Sequence, residues 1–406
     1  MNVLVLNSGS SSLKFELFDM RTHRSIAGGI VERIGEDSTT LTHYTVAASG
    51  SRSESTTSAS ASDHRQAINM VGNTLHQSQA IAHARDLFGI GHRVVHGGED
   101  FQQPTLIDQN VLEAVRRQVP LAPLHNPANL MGMEATLAEY PEVPQVAVFD
   151  TAFHQTLPAF AYRYAVPEEL YSKYRIRRYG FHGTSHQYVS KRAAEFLDRP
   201  LESLNLIVLH LGNGASAAAI RGGRSIDTSM GLTPLEGLMM GTRCGDIDPA
   251  VIFHLADVAD MTLPQIDALL NRESGLRGVC GANDMREVLR RAEAGDEKAE
   301  LALEMYCYRI RKYIGAYMAA LERVDAIVFT AGIGENSAEI RQGACRGLEN
   351  LGVILDSQKN AAADRTAREI QADDSLTKLL VIPTDEELEI ADQTIACIQL
   401  SKGKEA

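Results

Sequence analysis

No stretch of the 406-residue sequence reaches about eighteen uninterrupted apolar residues, so no membrane span is expected. Cysteine is sparse. Cys244, Cys280, Cys307, Cys345 and Cys397 are scattered, odd in number and free of any C-x-x-C. That pattern fits reduced thiols in a cytoplasmic protein. Cys244 stands beside an arginine of interest, but local sequence gives it no partner, and a small buried residue is the simpler reading. Positive charge is in deficit: 39 Lys and Arg against 52 Asp and Glu leave a net charge of −13. This argues against general binding to nucleic acid or anionic membrane, although an acidic protein can still hold a local basic pocket. The N-terminus lacks a basic segment ahead of an apolar run, so no signal peptide is expected. Neither the Walker pattern G-x-x-x-x-G-K-[ST] nor the dinucleotide pattern G-x-G-x-x-G fits the glycine turns of this chain. A nucleotide site would belong to a different fold.

What is present is an alternation of strand and helix signals. With 44% hydrophobic residues, the chain can build about two sizeable cores. Val3–Leu6 runs into Asn7-Ser8-Gly9-Ser10-Ser11-Ser12, and Leu13–Asp19 then alternates apolar and polar. The reading is strand, tight turn, strand, with a small-residue tip whose backbone N–H groups can approach phosphate or a hydrated metal ion. A third strand is predicted near residues 27–32. Residues 45–62 are rich in Ser, Thr and Ala and read as a solvated loop or weakly ordered hairpin without chemistry. A helix follows from Asp63 to about Phe88, and a strand over Gly91–Gly98. Asp108 caps a helix ending before Pro120. Asn126-Pro127 reads as a cap and first helical position. Val143–Phe149 is a buried strand ending at Asp150.

The second half restarts the programme. Leu206–Leu211 is an apolar run, Gly212-Asn213-Gly214-Ala215-Ser216 a glycine tip, and Ala217–Ile220 the return strand. Helices are predicted near 247–258, 263–272 (Thr262 as cap, Pro264 at the first position) and 296–322. Asp325–Thr330 is a strand running into Ala331-Gly332-Ile333-Gly334-Glu335-Asn336 and a helix. Leu379–Pro383 is a last strand, and Thr384-Asp385-Glu386-Glu387 opens the final helix with acids in its first turn. The fold class is α/β in two related halves, each starting strand–glycine turn–strand. Two such halves facing each other would leave a cleft for a ligand.

Three turns, at 7–12, 212–216 and 332–336, each follow a buried strand and suit phosphate better together than singly. Arg93 and Arg243 are flanked by glycines and apolar residues. Their planar forks suit carboxylate or phosphoryl oxygens; structural ion pairs are the other reading. His182 and His125 each precede a helix start, a place that favours anions, and Thr184 or Ser185 would cap the helix after His182. His186 reads as an ordinary helix residue. Asp150 ends a buried strand, where α/β proteins commonly place functional carboxylates.

These residues carry a resemblance across nearly the whole chain and in order. Asn7–Ser12 with Lys14, Gly91–Gly98 around Arg93, Phe149-Asp150-Thr151-Ala152-Phe153-His154, Gly180–His186, His210–Gly214, Met240–Asp246 and Gly332–Asn336 resemble the acetate kinase family. The resemblance implies two duplicated domains of the actin-like ATPase (ribonuclease H-like) fold with an interdomain cleft. It puts the first domain at 1–150 plus the C-terminal helix 385–406, and the second at 151–384. It implies ATP/ADP and Mg²⁺ (Mn²⁺ as a substitute), acetate or acetyl phosphate as substrate, and a cytoplasmic homodimer through the second domain. By this resemblance Asn7 and Glu386 hold the metal, mostly through water, and Lys14 lies near the phosphates. Arg93 and Arg243 bind acetate and the phosphoryl group in flight, His182 hydrogen-bonds that group, and Asp150 is the catalytic carboxylate. His125 belongs to the substrate side. His210, Leu211, Gly212, Asn213 and Gly214 contact phosphate. Asp284, Met285 and Arg286 with Gly332, Ile333, Gly334, Glu335 and Asn336 form the adenosine side. The family's Asn-Glu-Glu-Leu stands here as Asp385-Glu386-Glu387-Leu388, so Glu386 and Glu387 both stand as candidates for the metal. Val95, two residues after Arg93 on the same strand face, would wall the methyl pocket, and its size favours acetate over propionate. A propionate kinase and a non-catalytic nucleotide switch are the competing expectations.

Overall fold

The computed structural model describes residues 1–36, 38–47 and 49–405. The chain forms two compact units: Met1–Phe153 together with the segment from Asp385 onward, and His154–Thr384.

The first unit is built on eight strands: β1 (Asn2–Ser8), β2 (Ser12–Asp19), β3 (Arg24–Glu32), β4 (Thr39–Val46), β5 (Arg52–Ala59), β6 (Leu87–Val94), β7 (Thr105–Leu106) and β8 (Gln145–Phe149). Their order is β5-β4-β3-β2-β1-β6-β8-β7, with β1, β6 and β8 parallel. Alternation along β1 feeds two cores. Leu4 and Leu6 pack with Leu13, Phe15 and Ile68 on one face. Val3 and Val5 pack with Phe18, Val146, Ile390 and Ile398 on the other. A period of two with both faces buried is what a central strand requires. The second face is closed by the final helix, Glu386–Glu405. β6 makes room for it: a Cβ on Gly89 would come within 2.4 Å of Ile398 Cδ1, and one on Gly91 within 2.4 Å of Thr394 Oγ1.

The second unit has β9 (Asn205–Leu211), β10 (Ala215–Arg221), β11 (Arg224–Thr228), β12 (Ala326–Thr330), β13 (Arg368–Glu369) and β14 (Lys378–Val381), in the order β11-β10-β9-β12-β14-β13. β9, β12 and β14 are parallel, whereas β9, β10 and β11 form an antiparallel meander. The succession β3-β2-β1-β6-β8 in the first unit thus returns as β11-β10-β9-β12-β14, so the two halves are duplicates in topology. Among the described residues no helix is long and apolar enough to cross a membrane.

Several local expectations change. The helix capped by Asp63 runs only over His64–Gln77, because Gln79 turns left-handed at φ 59° and Leu87 already belongs to β6. The strand expected over Gly91–Gly98 ends at Val94. Residues 45–62 contain a true hairpin arm, β5 paired along β4, and β5 is almost wholly exposed; Ala48 at its tip lies outside the described residues. Asn126 is not a cap. The cap position is His125, and the Asn126 side chain is buried against the backbone of His96. Thr184 and Ser185 also lie inside their helix, Gly183–Phe196, whose cap position is His182. Pro264 follows Leu263, the first residue of its helix, and so takes the second position. The 332–336 segment is no open turn: Ala331–Asn336 is a short helix entered through a left-handed Ala331.

Candidate active site

In the first unit, the C-terminal ends of three parallel strands and the start of the final helix bring Asn7, Arg93, Asp150 and Glu386 together. Arg93 Nε and Nη2 donate to the two oxygens of Asp150 at 3.3 and 2.5 Å, and Nη1 donates to Asn7 Oδ1 at 3.4 Å. Glu386 Oε2 lies 4.0 Å from Arg93 Nε. Asp150 is 1% exposed, so its charge is met inside the protein rather than by water. Burial works against the Arg93 cation, but Asp150 and Glu386 more than offset it and hold its pKa up. Burial lifts Glu386 to about 7. Arg93 pulls it down in part, and the charges of Asp150 and Glu387 push it further up.

Asn7 Oδ1 and the carboxylates of Asp150 and Glu386 are hard oxygen donors around one guanidinium, with buried negative charge that a further cation would relieve. That donor set fits Mg²⁺ or Mn²⁺. Among the described residues no three His, Cys, Asp or Glu side chains form a protein-only metal cage. Mg²⁺ held by one or two carboxylates, water and phosphate needs none.

Lys14 pairs with Glu387 rather than Glu386. Burial pulls its ammonium down, and Glu387 outweighs that and raises it. Val95 is buried just past the end of β6 and donates its N–H to Asn129 Oδ1 at 3.1 Å. Asn129 also donates to Ser8 O at 2.9 Å. The helix after His125 thereby ties the 95–96 segment to the tip of β1.

In the second unit a separate group forms around the β9–β10 turn. His182 and His210 stack at 4.1 Å between ring centroids. A Cβ on Gly214 would sit 3.5 Å from His182 Nε2 and 3.6 Å from Arg243 Nη1, so these two groups flank bare backbone. Arg243 donates to Pro234 O at 3.1 Å and touches Met240 Sδ. No carboxylate among the described residues pairs with it, and burial pushes its pKa down. Its loop leans on the turn, Gly241 N–H donating to Asn213 O at 3.0 Å.

Beside this group is a cavity of about 720 Å³ lined by Gly212, Asn213, Asp284, Met285, Arg286, Gly332, Ile333 and Asn336, with Asn283, Leu289, Ser337, Glu339 and Arg365. It is of the size that holds a nucleotide-sized ligand. Five expected members do not line it: His210 and Gly214 belong to the neighbouring group around the β9–β10 turn, and Leu211, Gly334 and Glu335 are drawn elsewhere. Leu211 is buried at the end of β9. Gly334 packs toward Phe329 and Leu209. Glu335 instead accepts the Thr384 N–H at 3.1 Å. Arg286 folds back on Asp284, which caps the helix Met285–Glu293. Cys244 is half-buried and burial raises its thiol pKa, which does not favour a nucleophilic thiolate.

A model of the Acetokinase family matches residues 2–392. The chain belongs to the acetokinase family. An acetate kinase of Streptomyces coelicolor is 56% identical over 98% of this chain and 97% of its own length. The crystal structure of Porphyromonas gingivalis acetate kinase is similar with a TM-score of 0.93, 42% identity and coverage of 98% and 99%. A propionate kinase from Francisella tularensis, also a crystal structure, has a TM-score of 0.90, 43% identity and coverage of 97% and 99%. The Streptomyces coelicolor acetate kinase, at 56%, exceeds the 43% of the propionate kinase, and the propionate alternative is not favoured.

Sequence reasoning missed part of this candidate site. His186 is not an ordinary helix residue: it is fully buried, and its Nε2 lies 2.8 Å from Ser216 Oγ. Its spacing of four from His182, which puts both on one helix face, was the available signal. Ser185 Oγ joins His210 Nδ1 at 2.8 Å to Thr384 Oγ1 at 2.9 Å. Arg341 is buried and donates to the carbonyls of Gly334 and Glu335 at 2.9 Å each, holding the end of the glycine helix. Nothing local marks Arg341, because its partners lie mostly in carbonyl groups and in Asn360.

Proposed function

We propose that this chain catalyses the reversible transfer of the ATP γ-phosphoryl group to acetate, giving acetyl phosphate and ADP, directly and in line. The observation that carries this reading is the half-buried Arg243 cation, with which no carboxylate among the described residues pairs, beside Gly214 together with His182 Nε2. A desolvated cation beside a second nitrogen and bare backbone is suited to an anion supplied by the substrate.

Acetate is ionised at neutral pH, as carboxylates are, so no strong base is needed to make it a nucleophile. The difficulty is to bring an anion to an anionic phosphate, and positioning and charge stabilisation are the protein's contribution. In the first unit Asp150 occupies the Nε/Nη2 edge of Arg93, and Nη1, which donates one N–H to Asn7 Oδ1, has a second N–H to offer acetate. Asp150 is accordingly a positioning residue for Arg93 rather than a proton acceptor. Val95 and His125 border the acetate, and Lys14 balances Glu387 near the phosphates. In the second unit His182 and Arg243 take the equatorial oxygens of the transferring group. His210–Gly214 hold the remaining phosphates, and the 720 Å³ cavity takes the adenosine. Mg²⁺ or Mn²⁺, held by Asn7 and Glu386 largely through water, would neutralise phosphate charge. Family kinship also supports a homodimer in the cytoplasm.

A hydroxamate assay with ATP, Mg²⁺ and acetate tests the reading: acyl phosphate should accumulate, and its absence overturns the proposal. Inversion at a chiral γ-phosphate is expected, whereas retention would require a phosphoenzyme. Acetate should exceed propionate in kcat/KM by the ~10–200-fold that one methylene can discriminate.

A further inference from the structure

His186 and Ser216 are fully buried polar residues that the mechanism above leaves unused. His186 lies one helical turn after His182, its backbone N–H donating to His182 O at 2.9 Å. Ser216 faces His210 across the β9–β10 ladder. The Ser216 hydroxyl has two ring partners, His182 Nδ1 at 2.9 Å and His186 Nε2 at 2.8 Å. A hydroxyl carries one proton and two lone pairs, so Ser216 could accept from both rings, but its buried proton has no other acceptor among the described residues; it therefore donates to one ring and accepts from the other.

The far side of His186 decides the direction. Among the described residues His186 Nδ1 is buried and has no hydrogen-bond partner. Buried orphan N–H groups are rarer than under-satisfied acceptors, so the ring proton belongs on Nε2, where it has Ser216 to donate to. Burial, with His154 and His210 facing the ring, keeps His186 neutral, so only one nitrogen carries hydrogen. Ser216, having accepted from His186, gives its own proton to His182 Nδ1. His182 is left with its hydrogen on Nε2, the atom that flanks Gly214 opposite Arg243.

We infer that His186 and Ser216 form a tautomer lock that makes His182, in its neutral form, present an N–H donor, not a lone pair, to the transferring phosphoryl group. The inference rests on the proposed contact between His182 and that group. The other tautomer would aim a lone pair at an anion. His186 and Ser216 are thus positioning residues, and their influence should appear in turnover rather than in substrate affinity.

The test is the nitrogen spectrum of the full chain labelled with ¹⁵N-histidine, recorded near pH 8, above the ordinary histidine pKa of about 6.5. His182 is assigned by the signal lost in His182→Gln. The wild-type ring should carry hydrogen on Nε2 alone. Ser216→Ala should move the tautomer ratio toward Nδ1–H by about tenfold, the scale of one hydrogen bond, and lower kcat similarly with both KM values little changed. Ser216→Thr keeps the hydroxyl and should restore both readouts. His186→Leu should behave as Ser216→Ala does, while His186→Gln keeps an N–H donor and should hold the tautomer. A wild-type His182 protonated on Nδ1, or on both nitrogens, overturns the lock, as does an unchanged tautomer ratio in Ser216→Ala. If Ser216→Ala does not fold, the wild-type spectrum still decides. Normal kcat in His182→Ala would instead remove the phosphoryl contact, an outcome separate from the spectrum.

Discussion

Replacing Asp150 by Asn removes one charge from a buried bidentate pair and leaves the shape almost unchanged. Asp150 is 1% exposed and Arg93 22%, with Nε and Nη2 contacts of 3.3 and 2.5 Å. Breaking a buried pair from one side costs about 3–5 kcal/mol. Arg93 keeps some contact with water, and Glu386 at 4.0 Å can take up part of its charge. The lower end, about 3 kcal/mol, is therefore expected. Expressed as misplacement of Arg93 in the transition state, 3 kcal/mol is roughly a 10²-fold loss in kcat/KM for acetate. The ATP KM should stay near its wild-type value, because the nucleotide cavity is built from other residues. Expressed as stability, the same loss lowers Tm by about 6–12 °C in a unit of this size. Steady-state kinetics against each substrate and a thermal melt give both numbers. A double-mutant cycle with Arg93→Ala should return most of the effect as coupling. Turnover close to wild type would refute the reasoning outright. Loss of the acidic limb of the pH–rate profile would instead make Asp150 a general base.

Gly214→Ala should fold normally, since the added Cβ meets its neighbours at 3.5 and 3.6 Å, ordinary contact distances. That methyl occupies the space between His182 and Arg243, so kcat should fall at least tenfold with an unchanged melt; full activity would argue that no anion sits there. Burial holds the folded-state pKa of His92 and of His154 at about 4, below the usual 6.5. The unfolded chain therefore takes up these protons first. Stability is complete above 6.5 and falls as pH drops toward 4, by up to about 3 kcal/mol for each histidine. Urea titrations at several pH values should show this decline, shallower in His92→Gln, and an identical slope in the variant would dismiss His92 as a source. Arg341→Met should raise the ATP KM several-fold and lower stability by about 2 kcal/mol, because the carbonyls of Gly334 and Glu335 lose their donor. An altered acetate KM with a normal ATP KM would contradict that assignment.

Much of the architecture was legible because its signals are local. β1 and β9 are apolar runs ended by small residues, and Asp63 and Asp108 announce helices with caps the structure retains. The expectations that failed did so where a distant partner overrode a local preference. Asn126 has the residue type of a cap, yet the His96 backbone, thirty positions away, claims its side chain. Gly332–Asn336 looks like an open turn, but the buried Arg341 satisfies its carbonyls and lets it coil. The candidate site was proposed from its charged members, since Arg93, Asp150, His182 and Arg243 lie in glycine-rich or strand-end settings. The residues behind them, His186, Ser216 and Arg341, act through contacts that no neighbouring residue reports.

The placement of the final helix has a bearing on how this protein is made. Val3, Val5 and Phe18 share one core with Ile390 and Ile398. At roughly 5–20 residues per second, a ribosome needs on the order of 20–80 s to travel from the first of these side chains to the last. During that interval one face of the β1–β6–β8 sheet has no cover, and the second unit, contiguous in sequence, is completed shortly before the helix that closes it. The nascent chain thus spends its elongation with exposed apolar strands, and a message truncated before residue 385 would yield a product that a chaperone or protease should recognise. It would also lack Glu386, so the same late segment that finishes the fold completes the proposed metal site.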